Sequence, residues 1–120
     1  MNNSFRARDL STEVPRSGRE RLGQFAWLGR MTDKARAKQA GTLGEYLSLC
    51  PLDRGFLQRS SVAQDSFLEL IRAGSTDDEI ASYFDRHVSP IERDRANHWV
   101  LVDMADALEK QEREEGRVAA

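Results

Sequence analysis

Two stretches of this 120-residue chain put polar side chains where an apolar stripe should run. In the first, Leu22, Phe25, Ala26 and Gly29 mark one face of a helix. Asp33 and Arg36 continue that face, within roughly 60° of its centre line at about 100° per residue. A carboxylate and a guanidinium three residues apart on a helix can touch, and a buried pair of this kind must be satisfied. In the second stretch, Leu101, Met104, Ala105 and Leu108 form an apolar face whose backward extension carries Asp94, Asn97 and His98. Antiparallel packing of the two helices would bring these polar ends together. Arg36 could then grip an anionic group, and Asp33 or His98 could move a proton.

Glu45 and Tyr46, in the turn after the first helix, would close one side of such a site. The expected ligand-binding set is therefore Asp33, Arg36, Glu45, Tyr46, Asn97 and His98. It describes a small-molecule binding domain or enzyme for an anionic ligand, and it names no reaction, catalytic group or cofactor. A second reading stays open beside it. The same cluster serves as a structural network that staples helices, and the chain is an interaction module that meets a protein partner or a second copy through exposed aromatic surface.

Other chemistry has weaker support. Cys50 with His87 or His98 would make a Cys–His nucleophile, but a lone cysteine among apolar residues is more often core. Glu45, Asp53, Asp94 and His98 lack the spacing of a metal site, so no metal is expected. Gly41 and Gly44 lack the glycine-lysine pattern of a nucleotide-binding loop. Trp27 and Trp99, on the edges of their apolar faces, are expected to pack on each other or on a partner.

Helix-start signals organise the elements that must position these residues. A Ser or Thr followed three residues later by Glu or Gln can cap a helix reciprocally. The pattern occurs at Ser17/Glu20, Thr42/Glu45, Ser61/Gln64, Thr76/Glu79 and Ser89/Glu92, the last strengthened by Pro90. Gly41, Gly74 and Gly116 stand where helices would stop. These signals predict helices near 18–40, 43–49, 62–73, 77–87 and 90–114, with one further turn through Phe56 and Leu57. No stretch alternates with β-branched enrichment, so no sheet is expected. The fold class is all-α: a small bundle of about five helices whose two long members, near 18–40 and 90–114, run antiparallel. Residues 1–14 are read as a flexible tail, 15–116 as one domain, and 117–120 as a frayed end.

Composition fits one water-soluble domain, with 39% hydrophobic and 32% charged residues. No apolar run approaches a membrane span, and MNNSFRARDL lacks the apolar middle of a secretory signal. A single cysteine fits a cytoplasmic location. The net charge of −2 divides unevenly: residues 1–40 hold nine Lys or Arg against four acids, the remainder nine against sixteen. The basic residues lie around a helix with few aromatics between them, so the halves are expected to attract each other rather than nucleic acid.

VPRSGRERLGQFAWLGRMTDKARAKQAGTLGEY, followed by CPLD..FL and a Ser-Pro-Ile-Glu helix start, resembles the bacterial domain-of-unknown-function 5069 family over about Asp9 to Trp99. Gly18 stands where the family has a second proline in Pro-Arg-Ser-Pro, and Gly23-Gln24 replaces a double glycine. The resemblance implies a small all-α bacterial protein and carries no established activity, cofactor or catalytic residue.

Overall fold

The computed structural model describes residues 7–117. Its elements are a two-stranded hairpin, β1 (Arg21–Leu22) and β2 (Phe25–Ala26), then six α-helices among the described residues. These are α1 (Leu28–Ala40), α2 (Pro51–Ser60), α3 (Gln64–Arg72), α4 (Asp77–His87), α5 (Pro90–His98) and α6 (Ala105–Glu114). The all-α class holds in outline, with six helices instead of about five and a small sheet that the sequence pattern does not announce.

The expected first helix, near 18–40, starts ten residues late. Arg21 pairs with Ala26 and Leu22 with Phe25, which leaves Gly23 and Gln24 as a two-residue turn. Gly23 has φ of 59°, the left-handed geometry that such hairpin turns use. Leu22 and Phe25 thus lie side by side because the chain reverses between them, although their spacing imitates a helical turn. Trp27, itself at φ 74°, donates its backbone N–H to Gly18 O at 2.9 Å and leads into α1.

No helix forms over 43–49. Gly44 and Leu49 both have positive φ, and the Thr42 hydroxyl bonds Arg8 O at 3.0 Å instead of capping toward Glu45. Of the five predicted capping boxes, Thr76/Glu79 and Ser89/Glu92 form. Ser17 instead donates to Glu112 at 2.7 Å, and Ser61 ends α2 at φ 58°. The Cys50-Pro51 turn opens ten helical residues, where one turn was expected.

The expected long helix near 90–114 is also divided. Across Trp99–Asp103 the backbone widens to a π-helical turn, in which the Met104 N–H donates to Trp99 O at 2.9 Å. One extra residue in a turn shifts every later side chain by about 100° around the axis. A single stripe drawn through 94–108 therefore does not describe one face. Val100 and Leu108 are buried, whereas Asp94 and His98 are exposed.

Residues 7–14, expected as part of a tail, are tied to the body. Leu10 is buried, and its N–H donates to Thr42 O at 2.7 Å. The rest of that expected tail, and the expected end beyond Arg117, lie outside the described residues.

The apolar core gathers around Phe84, whose ring lies 5.5 Å from Phe25, 6.1 Å from Phe56 and 6.5 Å from Phe67. These spacings suit edge-to-face and offset packing, and they join the hairpin to α2, α3 and α4. Trp27 and Trp99 do not stack on each other. Trp27 is fully buried and donates Nε1–H to Asp53 at 2.8 Å, while Trp99 lies under the Arg59 guanidinium at 4.1 Å. Among the described residues, no helix is long and apolar enough to cross a membrane.

Candidate functional site

Helix α1 runs through the interior and is buried in every direction from Leu28 to Ala37. An amphipathic helix would tolerate this only on its apolar face, but α1 carries Arg30, Asp33, Lys34 and Arg36 into the interior. Each charge is met by a partner from another part of the chain. Arg30 pairs with Glu115 at 2.7 Å, Asp33 with Arg16 at 2.9 Å, Lys34 with Asp53 at 3.0 Å, and Arg36 with Asp77 at 2.8 Å. Helical spacing sorts them into two sides: Arg30 and Lys34 at i, i+4, and Asp33 and Arg36 at i, i+3.

On the second side, the expected direct contact between Asp33 and Arg36 is replaced by a relay. Arg16 donates its backbone N–H to Asp33 Oδ2 at 2.8 Å, and its guanidinium spans Asp33 and Asp77 at 2.9 Å each. Arg36 then grips Asp77 and, at 2.9 Å, the carbonyl of Ser75 just before α4. The reason is reach: Arg16 enters from the N-terminal segment and offers Asp33 a better fork than its helical neighbour can. The relay binds that segment, α1 and the start of α4.

Burial opposes ionisation of Asp77, but Arg16 and Arg36 outweigh it and hold its carboxyl below the ordinary value of 3.8. The same balance acts at Glu115, where Arg30, Arg117 and Tyr46 overcome burial and hold the carboxyl below 4.5. Groups whose folded-state values are depressed contribute stability that is present above their unfolded values and lost as pH falls through the folded ones. The melting temperature should therefore be level above about pH 5 and decline in stronger acid. Asp77→Asn should lower it at neutral pH and flatten part of the acid decline. Thermal melts from pH 7 to pH 2 check this, and an acid slope unchanged by the substitution would refute the assignment to Asp77.

The first side of α1 faces a pocket of about 420 Å³. Arg30 and Lys34 line it from α1, Glu45, Tyr46, Leu47 and Cys50 from the 42–50 loop, and Gln111, Glu114 and Glu115 from the end of the chain's last helix. Asp53 lies behind it, fully buried, accepts from Trp27 Nε1 and the Cys50 N–H, and forms an ion pair with Lys34 Nζ. Arg30 and Lys34 both lie over the Trp27 ring, at 5.6 and 5.4 Å, and Arg30 lies 5.7 Å from the Tyr46 ring. The Tyr46 hydroxyl donates to Glu115 at 3.0 Å. Burial and that carboxylate together push its pKa up to about 12, so it stays a donor throughout the neutral range.

Among the described residues, two buried polar atoms of this lining have no hydrogen-bond partner: Arg30 Nε, a donor, and Gln111 Oε1, an acceptor, both closed off from the pocket itself. Buried polar groups are nearly always paired, so an unpaired donor and acceptor in two residues beside one pocket stand out.

The expected site residues therefore occupy three places. Glu45 and Tyr46 line the pocket. Asp33 and Arg36 belong to the relay. Asn97 is buried but serves the hairpin, accepting from the Ala26 N–H at 3.0 Å and donating to Gln24 O at 2.9 Å. His98 is exposed and faces Asp103 at 3.7 Å. Asn97 meets the chain just ahead of α1, away from the half of α1 that simple antiparallel packing would offer it. The residues that sequence reasoning did not place in the expected ligand-binding set are Arg16, Arg30, Lys34, Asp53, Asp77, Gln111 and Glu115. Only Asp53 left a signal, as an acid three residues into a helix opened by Cys50-Pro51.

Among the described residues, no three His, Cys, Asp or Glu side chains gather as a metal site would require. The family model described as a domain of unknown function (DUF5069) matches residues 12–119, nearly the whole chain. The chain belongs to this family. No curated protein matches it. The DUF5069 match spans the relay, the hairpin and every residue of the α1 pocket, so both sides of the central helix lie inside the family's domain.

Proposed function

We propose that this chain is a small-molecule binding domain whose ligand is a zwitterion of amino-acid type, seated between α1, the 42–50 loop and the end of α6. The observation that carries the reading is the mixed charge of the pocket lining, with Arg30 and Lys34 on the α1 side and Glu45 and Glu114, both exposed, on the other. A carboxylate suits the Arg30 and Lys34 side of the pocket, where it would gain charge-assisted bonds. An ammonium suits Glu45 and Glu114 at the open side, both exposed carboxylates. The anionic group expected from the sequence thus keeps its place in the ligand, with Arg30 and Lys34 taking the part first given to Arg36. In this reading Asp33, Arg36 and Asn97 hold the helices in place. The setting is the bacterial cytoplasm, on the family resemblance and the single free cysteine.

The test is a two-dimensional nitrogen–proton NMR titration with free α-amino acids, their N-acetyl forms and their amides. At least one free amino acid should move the Arg30 Nε–H and Gln111 side-chain signals saturably, and capping either end should abolish the effect. If no free amino acid moves them, or capped forms bind equally well, the proposal fails.

A second reading, self-association, rests on a separate apolar groove of about 410 Å³ lined by Ala35, Leu49, Leu68 and Ile71. A dimer in sedimentation equilibrium that dissociates on Leu68→Glu would favour it.

A further inference from the structure

The groove that α1 and α3 form with the 42–50 loop differs in kind from the α1 pocket. It encloses about 410 Å³ over a floor of Ala35, Leu49, Leu68 and Ile71. Helical spacing builds that floor, with Leu68 and Ile71 three residues apart on α3 and Ala35 added from α1. Leu49 comes from a left-handed backbone, φ 58°, a conformation that a bulky residue keeps only where its surroundings hold it.

The charges at this groove have one sign. Lys38 and Arg72 stand at its edge, both exposed, and among the described residues no acidic side chain lines it. The Gln39 amide donates to Ile71 O at 3.4 Å, so the last turns of α1 and α3 meet. That contact puts Lys38 and Arg72 at one end of the groove, while Ala35 and Leu68 lie one turn back along their helices. Basic residues in a last turn also complement the helix dipole, but two full charges exceed the half-charge at each helix end. Arg72 pairs with Glu69 of its own helix at 3.4 Å, an exposed contact that competes weakly with a ligand anion.

We propose that this groove binds a fatty acid of medium chain length, its carboxylate between Lys38 and Arg72 and its hydrocarbon chain along Ala35, Leu49, Leu68 and Ile71. Size and charge together select that occupant. Small-molecule sites of this volume are mostly apolar with a few placed polar groups. A stable protein partner covers roughly 800 Å² on each side, more than four apolar side chains offer. The carboxylate gains charge-assisted bonds, and the chain removes apolar surface from water on both sides of the contact. The inference stands apart from the α1 pocket and does not depend on the zwitterion.

Octanoate, octanol and octyltrimethylammonium provide the probes, since they share a chain and differ in the charge of the head. Binding is followed below micellar concentrations by methyl-resolved NMR at Leu49, Leu68 and Ile71. Octanoate should move these signals saturably, and octanol should bind about tenfold more weakly, the loss expected for one charge-assisted hydrogen bond. Octyltrimethylammonium should bind more weakly than octanol. From hexanoate to octanoate, each added methylene should tighten binding by up to about fourfold. Lys38→Gln combined with Arg72→Gln should abolish the preference for octanoate while leaving octanol bound, and both positions are exposed, so the fold is kept. Equal affinity for octanoate and octanol, still methyl signals, or shifts centred on the Gln111 side chain would overturn the inference. So would a dimer in sedimentation equilibrium that octanoate does not dissociate, because a second copy would then be the occupant.

Discussion

Asp53→Ala is expected to destabilise the fold by about 3–5 kcal/mol, the range for breaking a buried ion pair from one side. The carboxylate is fully buried, pairs with the Lys34 ammonium at 3.0 Å, and accepts from the Trp27 indole at 2.8 Å and the Cys50 backbone at 3.1 Å. Its removal strands a cation that is itself almost completely buried, together with an indole N–H at the core. Urea unfolding should show a lower midpoint at unchanged slope. Asp53→Asn should fall between the two, because an amide oxygen still accepts from Trp27 but no longer balances Lys34. Adding Lys34→Met to Asp53→Ala should recover part of the loss, since the stranded charge is then gone. A loss below about 1 kcal/mol would mean that solvent reaches the pair and screens it, as at surface ion pairs.

Gly55→Ala is expected to be costly despite being a helix-favouring change. In an open helix the substitution would gain up to about 1 kcal/mol. Here a Cβ would stand 2.8 Å from Cζ2 of Trp99, with Cη2 nearer still. The indole cannot withdraw freely, because it is covered by Arg59 and held at the start of the π-helical turn. Overpacking of this kind typically costs about 1–3 kcal/mol. Trp99 fluorescence should shift as the ring is displaced, and Trp99→Leu should restore stability in the Gly55→Ala background. A midpoint at or above that of the parent chain would show that α2 and the π-helical turn are not locked together at this point.

Where local chemistry decides structure, the sequence was readable. The residues of α4 match their expected span because Thr76 and Glu79 cap it by contacts three residues apart. Ser89 and Glu92 start α5 in the same way. What could not be read was set by distant parts of the chain. Leu22 and Phe25 satisfy both a helical period and a tight hairpin, and the φ of Gly23 chooses between them. The candidate site divides similarly. Asp33 and Arg36 interrupt the expected stripe because α1 has no solvent-facing side through most of its length, so its charges need partners all round. Those partners, Arg16, Asp53, Asp77 and Glu115, lie in segments whose proximity no periodicity reports. Glu45 and Tyr46 line a pocket with Arg30 and Lys34, not with the Asp33 and Arg36 they were expected to enclose.

The buried charges of α1 also order events during synthesis. Arg16 precedes the helix, while Asp53, Asp77 and Glu115 follow it at increasing distance. Glu115 lies 85 residues beyond Arg30, so at typical elongation speeds the ribosome adds it roughly 4–17 s later. Until then Arg30 lacks the carboxylate that balances its charge in the folded chain. The segment of α1 is thus made early, while the set of partners that balances its buried charges is complete only once Glu115 has been added.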